Sequence, residues 1–84
     1  MPRNNESNSP IASHRIRRAL SRVFTFLEKS FQDELMYELD LRGIHLFHRT
    51  SYTLDEIENA LDAIFGEDGT KLIMERIRAE LRKE

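Results

Sequence analysis

The stretch from Tyr52 to Leu81, YTLDEIENALDAIFGEDGTKLIMERIRAEL, constrains the fold more than any other part of the chain. It marks where a helix starts, where it stops and which side it buries. Thr53 is a good N-cap, and Glu56 stands three residues on, where its carboxylate can reach back to the Thr53 amide. Tyr52 precedes the cap and can pack on Ile57, so the pattern is a capping box with a hydrophobic staple. Leu54, Ile57, Leu61, Ile64 and Phe65 then share one stripe at helical spacing, and Gly66 arrives where a residue of positive φ ends a helix. A second helix is expected to restart near Asp68, Gly69 or Thr70, with Ile73, Met74, Ile77 and Leu81 on one side.

Upstream, Ile16, Leu20, Val23, Phe24 and Leu27 recur at three- and four-residue intervals, which predicts an amphipathic helix from Ser13 to about Ser30. Ser9 before Pro10, or Ser13, would cap it. Continued at 3.6 residues per turn, that stripe would miss Phe31, Leu35, Met36 and Leu39 by about 120°. A break is therefore expected near residues 29 to 33, with Ser30 as a cap, and then a helix to about Leu41. Gly43 would end it, with Ile44 as the apolar residue beyond. The segment Ile44 to Tyr52, IHLFHRTSY, reads as a connecting loop that plugs the core with Leu46 and Phe47, since no partner strand is evident. Residues 1 to 12 are polar, hold both prolines, and are expected to form a disordered tail. The expected architecture is all-α: a compact bundle of about four helices, with residues 13 to 84 as a single helical domain.

At 84 residues the chain lies near the size at which one core barely suffices, so a second copy or a partner could complete it. Cysteine is absent, which removes disulfides, thiolate metal sites and thiol nucleophiles. No apolar run resembles a signal peptide or approaches the roughly 18 residues of a membrane span, so a cytoplasmic protein is expected.

Charge is unevenly placed. Residues 1 to 30 hold six basic side chains against two acidic ones, and the remainder holds seven against thirteen. On the first helix Arg15, Arg18, Arg22 and Lys29 cluster opposite the apolar stripe, with Phe26 near the edge of the cluster. That arc is either a solvated face or a docking surface for an acidic partner, a nucleic-acid backbone or an anionic membrane surface. Leu72 falls off the apolar stripe of the last helix, so it either packs against the loop or marks a second contact surface.

Catalytic signatures are missing. His45 and His48 alone do not make a zinc site, and Asp40 or His14 would have to complete one. No nucleophile turn surrounds any Ser or Thr. Asp55, Glu58 and Asp62 lie on the polar side of an amphipathic helix, and FGEDG lacks the ending of a phosphate loop. No catalytic residue, metal or cofactor is assigned, and an enzyme is not expected.

The segment TLDEIENALDAIFGEDGTKLIMERIRAEL resembles the small archaeal family named the Nitrosopumilus output domain. The likeness rests on Leu61, Ile64, Phe65, Gly66, Leu72, Ile73, Ile77 and Leu81, and reaches back to about residue 28 if the Leu-x-x-Arg-Gly-Ile segment is counted. It implies a non-catalytic helical module associated with archaeal signalling or regulation, and transfers no functional residues. The expected function is thus protein interaction, with self-association into a homo-oligomer such as a homodimer. Arg15, Arg18, Arg22, Phe26, Lys29 and Leu72 are the candidate surface. Nucleic-acid binding through Arg15, Arg17, Arg18, Arg22 and Lys29 is the alternative.

Overall fold

The computed structural model describes residues 9–83. Within them the order is β1 (Ile11–Ala12), α1 (Ser13–Val23), α2 (Lys29–Leu41), β2 (Ser51–Tyr52) and α3 (Leu54–Arg82). The fold is mainly helical, as expected, but among the described residues it has three helices and not about four. The third, α3, joins the two helices expected on either side of Gly66, the second resuming directly across a kink where φ and ψ are not helical.

The start of α3 follows local rules. Thr53 Oγ1 accepts from the Glu56 amide at 3.2 Å, and Glu56 Oε1 accepts from the Thr53 amide at 2.8 Å. Leu54, Ile57 and Leu61 are buried, with Ile64 and Phe65 packed partly against them. Gly66 then takes φ 82° and ψ 168°, a combination essentially confined to glycine. The helix resumes directly after it, earlier than the expected restart at 68 to 70. Fully buried Thr70 donates from Oγ1 to the Gly66 carbonyl at 2.7 Å, giving the buried hydroxyl a partner across the kink. Met74, Ile77 and Leu81 carry the buried stripe onward.

α2 ends as the sequence suggests. Gly43 has φ 89°, its amide donates to Asp40 O at 3.0 Å, and the Ile44 amide donates to Leu39 O at 2.9 Å. These are the paired bonds of a Schellman motif, and Ile44 and Leu39 are both buried.

The break between α1 and α2 falls at 24–28, earlier than the expected 29 to 33, and Ser30 does not cap α2, whose N-cap is Glu28. Phe24 turns inward and stacks on Phe65 with ring centroids 6.1 Å apart. Gln32 Nε2 donates to the carbonyls of Phe24 and Leu27, each at 3.0 Å, and so holds the turn shut. Both stripes then face one core, with Ile16 and Leu20 from α1 and Leu35 and Leu39 from α2. α1 lies along α3 more extensively than α2 does.

The expected tail and loop also need correction. Residues 1–8 lie outside the described residues, but Ile11 and Ala12 pair antiparallel with Tyr52 and Ser51, so the chain is ordered before residue 13. The next step of the same register is Ser13, whose amide donates to Thr50 O at 2.8 Å. Ser13 is not a cap. It is buried, its hydroxyl donates to His48 O and accepts from the Thr50 amide, and Ala12 occupies the N-cap position. The segment expected to be an unpaired loop thus ends in β2. Leu46 does plug the core, whereas Phe47 is 71% exposed.

Candidate interaction surface

The basic arc expected on the first helix, Ser13 to about Ser30, is divided by the turn at 24–28. Arg15, Arg18 and Arg22 stay on α1, while Lys29 belongs to α2, where it pairs with Asp33 at 3.2 Å. Arg22 reaches Glu80 of α3 at 3.6 Å. Arg15 is half-buried, and both Arg15 and Arg18 have partners of their own. Exposed pairs such as Lys29 with Asp33 contribute at most about 1 kcal/mol, so they dress the surface and do not set the fold. The four cations are therefore not one continuous array.

Phe26 and Leu72 stand outside, at 77% and 68% exposure. Phe26 sits in the turn between α1 and α2. Leu72 lies on the second arm of α3, about 200° round the helix from Met74, among Asp68, Glu75 and Arg76. A single apolar side chain surrounded by charge is ordinary for a surface helix.

Sequence reasoning missed a larger apolar exposure on α2. Tyr37 and Leu41 are 59% and 61% exposed, and Phe31 is about half exposed. Tyr37 and Leu41 are one turn apart, and each lies about 200° round the helix from a buried leucine, Leu35 or Leu39. α2 is apolar on both sides. The signal was present as an i, i+4 pair off the buried stripe.

His45 and His48 are brought together, with ring centroids 5.4 Å apart. His45 Nδ1 lies 2.6 Å from Asp40 Oδ1, a link between the end of α2 and the loop that follows. Among the described residues no group of three or more His, Cys, Asp or Glu stands together in a way that would hold a metal ion. On the other flank of the loop, Arg17 of α1 donates from Nη1 to Leu46 O at 3.1 Å and lies over the Phe47 ring, 4.9 Å from its centroid. That contact fixes the guanidinium and holds Phe47 at the surface.

No family model matches the sequence, and no curated protein or solved structure matches it either. Whatever the surface does must be argued from its own chemistry. Among the described residues no helix is long and apolar enough to cross a membrane.

Proposed function

We propose that the chain is a non-catalytic, cytoplasmic interaction module of an archaeal regulatory protein, and that it associates with a second copy of itself through the outer side of α2. One observation carries the self-association: α2 presents Leu35 and Leu39 to the core and Tyr37 and Leu41 to solvent. A helix apolar on both sides is ordinarily covered on both. In a two-fold dimer the same patch meets itself, so one apolar stripe suffices for both partners. The small core supports the same reading, because a dimer adds buried area that an 84-residue chain lacks. The regulatory and archaeal parts rest on the resemblance of the C-terminal half alone.

Nucleic-acid binding on the outer arc of α1 has less support, since Arg22 is engaged with Glu80 and Lys29 has moved to α2. Sedimentation equilibrium tests the leading reading. The expected result is a monomer–dimer equilibrium that Tyr37→Glu with Leu41→Glu weakens by at least about 100-fold, given about 1.5 to 3 kcal/mol for each large apolar side chain buried. A strict monomer at high micromolar concentration would overturn it.

A further inference from the structure

We infer that the open cleft between the first turns of α1 and the 46–51 loop binds the phosphate backbone of single-stranded nucleic acid, with a base stacked against Phe47. The cleft has a volume of about 770 Å³ and is lined by His14, Arg17, His48 and Arg49 among others, with no Asp or Glu among the described residues of its wall. In a chain with 15 acidic and 13 basic side chains, a cavity that gathers two arginines and no carboxylate among its described residues is a local concentration of positive charge, although Asp33 and Asp40 line a separate hollow that Phe47 shares.

The individual groups suit the ligand. Arg49 is exposed and makes no hydrogen bond or ion pair among the described residues. Arg17 uses one N–H on Leu46 O, and the fork geometry of its guanidinium leaves further donors for an anion. Its stacking on Phe47 presents that ring beside the cations, 71% exposed. Cations that track a backbone beside an aromatic platform for bases are how single strands are held without sequence preference. An acidic peptide shares the charge but does not offer a flat base at each repeat, so the exposed ring favours the nucleic acid. Of the residues of α1, His14 and Arg17 line this cleft, whereas Arg15, Arg18 and Arg22 do not. Phe47 also shares a hollow with Met36 and Tyr37 of α2, so its platform adjoins the face proposed for self-association, whereas Arg49 does not line that hollow.

The test is fluorescence anisotropy of the full chain with a labelled oligothymidylate of about twelve nucleotides, read at about 50 and about 200 mM salt. Arg49→Ala is expected to weaken binding and to flatten the slope of log K against log salt by about 0.7, the value for one phosphate contact on a single strand. Phe47→Ala is expected to weaken binding roughly 5- to 100-fold. Arg76→Ala, on an exposed α3 position outside the cleft, is expected to change neither quantity. Polyglutamate is expected not to displace the oligonucleotide. Arg49 and Phe47 are exposed, so matching thermal melts check that the variants are folded. The assignment is overturned if no binding is seen at the lower salt, or if Arg49→Ala and Phe47→Ala bind as the parent does. Equal weakening by Arg76→Ala, or displacement by polyglutamate at matched charge, overturns it as well.

Discussion

In α3 the side-chain bonds that fix the backbone join near neighbours: Thr53 with Glu56, and Thr70 with the carbonyl of Gly66 four residues back. From Ile11 to Tyr52 some of the corresponding bonds are as short, as from Arg42 to the Glu38 carbonyl, but others reach much further. Ser13 is tied to His48 and Thr50, and Arg17 to Leu46, across separations of 29 to 37 residues. Even the turn between α1 and α2 is closed by a side chain from beyond it, Gln32, eight residues on from Phe24. The contrast separates a region shaped by local rules from one whose shape exists only once the chain has folded back on itself.

The largest effects should ignore that boundary, because both regions feed one core. Leu20 of α1 and Ile57 of α3 are each fully buried in it. Leu20→Ala and Ile57→Ala are each expected to cost about 2 to 5 kcal/mol, in a single unfolding transition followed by circular dichroism. Two separated transitions would show that the regions unfold as independent units.

A second pair of variants probes the boundary itself, with an expected cost of about 1 to 3 kcal/mol each. Gly66→Ala acts through backbone conformation alone, since nothing lies within 4 Å of an added Cβ, yet φ 82° with ψ 168° excludes other residues. Asparagine should not rescue it, because ψ there is far from the left-handed helical region that asparagine tolerates. At Gly43, which closes a Schellman motif, asparagine should cost less. Ser13→Ala removes a buried hydroxyl that serves both His48 O and the Thr50 amide. Native-state hydrogen exchange is expected to show lost protection at the Thr50 amide, 37 residues away in sequence. Loss confined to residues near Ser13 would remove the distinction between short and long reach.

The same distinction explains what could be read from the residues alone. Capping box, Gly43 and Gly66 are signals written in a few consecutive positions, and the structure keeps all three in place. The turn at 24–28 has no glycine or proline, so phase showed that a break was needed but not where. Its position depends on Phe24 finding Phe65, 41 positions later in the chain. β1 was invisible for a related reason: two residues make a strand only by pairing with Ser51 and Tyr52. Of the candidate surface only exposure can be compared: Phe26 is exposed as its place at the edge of the basic arc suggested, and Leu72 is exposed where its spacing had left packing on the loop open as well. Tyr37 and Leu41 were missed because an i, i+4 apolar pair ordinarily means core. Arg49 gave no signal, since a loop cation acquires its meaning from what folds against it.

The smallest effects compare two ways of finishing a helix. Thr53→Ala removes the N-cap of α3, and Gln32→Ala strips the partner from the carbonyls of Phe24 and Leu27. Each is expected to cost about 1 kcal/mol, so stability alone will not tell them apart. Exchange should. Thr53→Ala frees the Glu56 amide and frays one turn of α3, whereas Gln32→Ala loosens the turn that aims Phe24 at Phe65. The second variant should therefore reduce protection in both α1 and α2 while leaving the first turn of α3 intact. If Gln32→Ala frays only α2, the turn is held by burial of Phe24 against Phe65 and not by the amide clamp, and residues 24–28 depend wholly on a partner 41 positions away in the chain.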